Sequence, residues 1–152
     1  MSSKVKAKMR VIMATQEYGI ASVLFRNAIG RKLGLNITDI GCINFLFIKG
    51  ASTPTELAQY TGLTTGSTTA MLDRLEKAGL IVRKPNPADR RGLLVEVQER
   101  SRELVGPMVA GAQKAQGELL DHYSEKELAT IADFLTRFAQ NVRDHARSIE
   151  SG

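Results

Sequence analysis

Asp89, Arg90 and Arg91, followed at once by Gly92, set a carboxylate and two guanidinium groups side by side on a short polar stretch. A guanidinium fork binds phosphate through paired hydrogen bonds, and an arginine also suits the concentrated negative potential of a narrow minor groove. A carboxylate in that place repels phosphate, unless it braces Arg91 or a backbone amide and so fixes the geometry of the tip. Upstream stand Thr65, Gly66, Ser67 and Thr69, and after them Arg74 and Lys77. Small hydroxyl residues let a backbone come close, donate or accept at base edges and leave room for a thymine methyl, while Arg74 and Lys77 have the reach for phosphates. Taken alone, Thr64 to Thr69 reads equally well as a capping cluster on an ordinary surface helix, and the charged tip as a solvated turn.

The remaining reactive side chains point away from catalysis. Cys42 is the single cysteine, so no intramolecular disulfide can form, and its apolar surroundings in sequence favour a buried, inert thiol over a redox sensor. His122 and His145 fall in different predicted helices with no cysteine pair nearby, and Gly62 to Gly66 lacks the Gly-Lys pair of a phosphate loop. No metal, no cofactor and no enzymatic activity are therefore expected. Lys and Arg number 21 against 16 Asp and Glu, a net charge of +5 that suits a polyanionic partner. The longest nearly uncharged stretch, Ile40 to Ile48, is far shorter than the roughly 20 apolar residues of a membrane span. With no signal-peptide pattern at the start, a cytoplasmic location is expected.

The elements that position these residues follow from periodicity. Val5, Met9, Ile12, Met13, Ile20, Val23, Leu24 and Phe25 recur at three-to-four spacing, predicting a long amphipathic helix that ends between Gly30 and Gly34. Thr38 can cap a second helix, apolar nearly all round, up to Gly50. Thr53-Pro54 with Glu56 predicts a capping box opening a short helix to about Tyr60; the turn Thr61 to Thr64 separates it from a helix over Thr65 to Ala78. On that helix Thr68, Met71, Leu72, Leu75 and Ala78 share one face, which is expected to pack inward. Leu80 to Lys84 and Leu93 to Val97 read as strands, with Pro85 to Gly92 as a long hairpin tip. Helix returns from Ser101, and Ser124 with Glu127 starts a last helix carrying Leu128, Ile131, Leu135, Phe138, Val142, Ala146 and Ile149 like a coiled-coil seam. The expected fold class is mainly α with a small two-stranded β wing, a winged helix-turn-helix between N- and C-terminal helices. Two short helices, a Gly-containing turn and a basic hairpin in this order point to nucleic-acid binding. A reading of another kind, a winged-helix interaction module without DNA binding, has no need of the basic character at Arg74, Lys77, Arg90 and Arg91.

Leu63 to Leu80 (LTTGSTTAMLDRLEKAGL) followed by IVRKPNPADRRGLLVEV resembles the MarR family of bacterial transcription regulators, and the order of elements extends the resemblance over nearly the whole chain. The resemblance implies a sequence-specific, ligand-responsive repressor that binds a double-stranded DNA operator as a homodimer. It implies that Arg91 enters the minor groove at the wing tip with Asp89 as its structural partner. Thr65, Ser67, Thr68 and Thr69 then lie in the recognition segment, although helical rotation makes Thr68 a packing residue. Residues 1–152 are expected to form one unit, in which 36–99 is the DNA-binding part and 1–35 with 100–152 the dimerisation part. A small-molecule effector is expected, and no residue names it.

Overall fold

The computed structural model describes residues 1–152 as six helices and one two-stranded antiparallel sheet. In chain order these are α1 (Ser3–Leu33), α2 (Ile37–Lys49), α3 (Pro54–Thr61), α4 (Thr65–Lys77), β1 (Ile81–Asn86), β2 (Asp89–Val97), α5 (Glu99–Leu120) and α6 (Glu125–Glu150). The mainly helical fold with a small wing is as expected, and no helix is long and apolar enough to cross a membrane.

Most helix starts are decided within four residues. The Thr53 hydroxyl accepts from the Glu56 amide while Glu56 Oε2 accepts from the Thr53 amide at 2.7 Å, and Ser124 with Glu127 repeats the arrangement. For α2 the cap is Asn36, not Thr38. Asn36 Oδ1 accepts from the Asp39 amide at 2.8 Å and Asp39 returns the bond to the Asn36 amide, so the reciprocal pair fixes the start two residues earlier. The first helix ends within the expected bracket, at its far side. Gly30 is buried inside α1, where an added Cβ would stand 2.5 Å from the Leu35 carbonyl oxygen; the left-handed Gly34 (φ 68°) is the true cap.

By packing, the chain divides into two compact units, residues 1–108 and 109–152. The first has a core of Ile29, Ile40, Cys42, Ile43, Leu46, Leu57, Met71, Leu72, Leu75, Leu80, Ile81, Val95 and Val105, drawn from α1 through the start of α5. Thr68, Met71, Leu72 and Leu75 face inward from α4, whereas Ala78, placed on that face by rotation, is exposed because it is the residue where the helix stops. The second unit holds the rest of α5 and all of α6, with Phe134 and Phe138 stacked at 5.7 Å between ring centroids. Along the α6 seam Leu135, Val142 and Ile149 are exposed and no residue of the helix is buried.

The hairpin departs furthest from expectation. Strand pairing continues to Asn86 opposite Asp89, leaving Pro87-Ala88 as a two-residue turn in place of an eight-residue tip. The Asn86 side chain accepts from the Ala88 amide at 3.0 Å and closes the turn. Pairing is nonetheless irregular: Pro85 faces Leu93 while Asn86 faces Asp89, so Arg90, Arg91 and Gly92 bulge from β2 without opposite partners.

Candidate nucleic-acid interface

The helix α4 presents its first turns to solvent. Thr65, Gly66, Ser67 and Thr69 are all exposed, while Thr68 is buried and its hydroxyl donates to the Thr64 carbonyl at 2.9 Å. Thr68 is thus a packing residue, as rotation required. The Thr64 hydroxyl caps α4 by accepting from the Ser67 amide at 3.2 Å. Thr69 Oγ1 donates to the Thr65 carbonyl at 3.0 Å, so its hydroxyl proton is engaged and its lone pairs and methyl face outward. The capping reading of Thr64 to Thr69 is therefore correct for Thr64, and leaves Thr65, Gly66 and Thr69 without a capping task.

Lys77 is exposed and forms no ion pair, and the same holds for Arg90 and Arg91 at the wing. Asp89 Oδ1 accepts from the Arg91 backbone amide at 3.0 Å, and its carboxylate lies close over Gly92, where an added Cβ would stand 3.2 Å from Oδ2. The acid therefore braces a backbone amide and makes no ion pair with the arginine side chain. Arg74 is placed differently from the other cations. Its Nη2 lies 2.7 Å from Asp39 Oδ1, yet its side chain is 51% exposed.

Two basic residues that the sequence places at the stem of the wing prove to be paired. Arg83 bonds Asp73 at 2.7 Å and Glu76 at 2.6 Å, and its backbone amide also donates to Glu76 Oε1 at 3.0 Å. These hydrogen bonds hold the Glu76 carboxyl below the usual carboxylate range and raise the Arg83 guanidinium. Lys84 pairs with Glu96 at 2.7 Å. Between α4 and the end of β2, the cations left without an ion pair are therefore Lys77 on α4 and Arg90 and Arg91 at the tip. No periodicity in the sequence points to this clamp from β1 to α4; the signal it leaves is two acidic residues, at 73 and 76, on a helix face otherwise suited to a polyanion.

Cys42 is fully buried, and burial, with the Asp39 charge as a second cause, pushes its thiol up to about 12. At pH 8 its thiolate fraction is then about one in ten thousand. Iodoacetamide at that pH should leave Cys42 of the native chain unmodified by mass spectrometry and label it fully in denaturant; rapid native labelling would contradict the buried site. His145 lies in α6, but His122 falls in the turn after α5 and not in a helix; both are exposed, and each ring Nδ1 lies within hydrogen-bonding distance of a helix carbonyl four residues back, at Glu118 and Asn141.

A two-helix unit whose second helix exposes small hydroxyl residues, clamped to a basic two-stranded wing, defines a winged helix-turn-helix DNA-binding regulator of transcription. The sequence profile of the MarR family matches residues 33–92. Along 149 residues the chain is 30% identical to the HTH-type transcriptional regulator YcgE of Bacillus subtilis, covering 98% of this chain and 97% of that one. Among solved structures, wild-type MarR from Escherichia coli in its apo form superposes with a TM-score of 0.57 at 25% identity, over 85% of this chain and 94% of that one. NadR in complex with 4-hydroxyphenylacetate gives a TM-score of 0.67 at 22% identity, over 84% and 90% of the respective chains. The chain belongs to the MarR family of transcriptional regulators, which are non-enzymatic DNA-binding proteins that act as dimers. These relatives favour DNA binding over an interaction module that has lost it.

Proposed function

We propose that the chain is a cytoplasmic homodimeric repressor that binds a pseudo-palindromic operator and lets go when a small molecule binds. The carrying observation is the pairing pattern of the basic residues: Arg83 and Lys84 are neutralised within the fold, whereas Arg90, Arg91 and Lys77 are left unpaired. In this reading Thr65, Gly66, Ser67 and Thr69 meet base edges, Arg74 and Lys77 meet phosphates, Arg90 and Arg91 serve the wing, and Asp89 braces it. Thr69, with its proton spent on Thr65, reads as an acceptor for a base amino group or as a methyl contact for thymine. The functional parts are 36–99 for DNA and 1–35 with 100–152 for dimerisation. They need not coincide with the packing units, because Ile29 of α1 and Val105 of α5 help close the core around the DNA-binding part. The exposed apolar residues of α1 (Met9, Ile12, Met13, Leu24) and of α6 (Leu135, Val142, Ile149) support dimerisation, since helices of this kind need cover. That NadR holds 4-hydroxyphenylacetate supports a small-molecule effector here, without naming it.

Sedimentation should give twice the 16.6 kDa of one chain. On a duplex selected from random DNA, the footprint should be two-fold symmetric, with half-sites about one helical turn apart. A stable monomer at micromolar concentration, or a footprint without symmetry, argues against the reading.

A further inference from the structure

The edge of α4 that carries Ser67 also carries Arg74, two turns further on, and at that edge the helix is tied to α2. The tie is unequal in its surroundings. Asp39 is only 2% exposed, and its two oxygens are both used: Oδ2 accepts from the Asn36 amide at 3.2 Å and Oδ1 from Arg74 Nη2 at 2.7 Å. Arg74 reaches in from solvent, and its Nε and Nη1 make no hydrogen bond within the protein. The helix cap needs only one acceptor at position 39, which an asparagine would also supply. The charge is needed for something else.

A buried carboxylate robbed of its partner is strongly unfavourable, so a DNA phosphate cannot draw Arg74 away from Asp39. A guanidinium, unlike an ammonium, has enough fixed donors to serve two anions at once. We propose that Asp39 is a positioning residue for DNA binding: it holds the Arg74 guanidinium in one orientation, with its outer N–H edge presented to a phosphate. The side-chain freedom that a loose arginine would lose on binding is then already spent in the free protein. This rests on reading α4 as the recognition helix and Arg74 as a phosphate contact.

The test is binding of the full chain to a random-sequence duplex across a salt series, which isolates phosphate contacts. Asp39→Asn should weaken binding about three- to tenfold although it removes a negative charge, with the salt slope unchanged because Arg74 is still present. Arg74→Gln should weaken binding and lower the slope by about one, and adding Asp39→Asn to it should cost nothing more. Arg74→Lys should also lower the slope by about one despite keeping its charge, because the ammonium stays with Asp39. Equal or tighter binding by Asp39→Asn overturns the proposal. The same loss from Asp39→Asn in the Arg74→Gln background also overturns it, since Asp39 would then act through the fold. Should thermal melting show Asp39→Asn unfolded, Arg74→Lys decides: a full salt slope in that variant overturns the proposal. A wild-type chain that binds no duplex overturns the recognition-helix reading itself, whereas wild-type binding that is weakened by Arg91→Ala but unmoved by Asp39→Asn leaves that reading standing and removes only this inference.

Discussion

Arg91→Ala weakens binding to every duplex by about tenfold or more, roughly 1.4 kcal/mol, with the loss greatest where the flanks are A·T-rich and the groove is narrow. The salt slope falls by about one, as one cation leaves the phosphate field. Asp89→Ala should follow the same course, although it removes a negative charge close to DNA. The reason is geometric: the Asp89 carboxylate accepts from the Arg91 amide at 3.0 Å, in a stretch of β2 with no opposite strand to hold it. Losing that acceptor frees the backbone that aims Arg91. Simple electrostatics predicts tighter binding for Asp89→Ala, so a titration of both variants at two salt concentrations separates a braced wing from a solvated one. Tighter binding by Asp89→Ala, or no effect of Arg91→Ala, rejects the wing mechanism.

Arg83→Ala is expected to cost about as much in affinity without touching DNA. Asp73 and Glu76 lie on α4 beside the exposed residues Thr69 and Lys77, and Arg83 neutralises both. Its removal leaves two carboxylates next to the proposed phosphate path, and like charges brought together oppose association. A loss of about tenfold is expected on operator and random duplexes alike. Asp73→Asn should recover part of it in the Arg83→Ala background, and failure of that rescue would show that Arg83 acts through the shape of the wing alone. The sign of the pH dependence follows from Glu76. Its carboxyl is held below the usual range in the folded chain, so the clamp contributes above the unfolded pKa and is lost only as pH falls through the lowered native value. Binding near neutral pH should therefore not vary on account of this pair.

The parts of this fold that could be read from sequence are those in which cause and effect lie a few residues apart. Thr53, Pro54 and Glu56 announce α3, and Ser124 with Glu127 announces α6, because each capping pair closes on itself. The start of α2 was displaced by a competitor of the same kind: Asn36 with Asp39 outbids Thr38 because only that pair satisfies two backbone amides reciprocally. Of the two glycines that bracket the end of α1, Gly34 supplies the left-handed cap, whereas Gly30 is there for the absence of a Cβ beside Leu35. The wing tip carries no alternating pattern, since Pro85 to Arg91 is mostly exposed on both faces, and burial therefore leaves no mark of its strands in the sequence. Among the candidate contacts, residue type and helical rotation were enough to separate Thr68 from Thr65 and Thr69. They could not show that Asp39 and Arg74, 35 positions apart, meet, or that Arg83 is already engaged.

The root of the wing is held from three sides. Ser52 and Val95 exchange both backbone hydrogen bonds, at 3.0 and 2.8 Å; Ser101 and Gln98 bond the Leu80 and Ile81 carbonyls; and Arg83 grips α4. Nothing comparable holds the strands beyond Lys84 and Leu94. In mechanical terms the hairpin is a cantilever with a clamped base and a free overhang of about three residues, roughly 10 Å at strand rise. Bending is confined to that overhang, and displacement grows toward its end, where Arg90 and Arg91 sit. The arm is therefore stiff where it keeps its angle to α4, and compliant over the short length that, in the proposed reading, follows a groove whose width changes with the sequence beneath it.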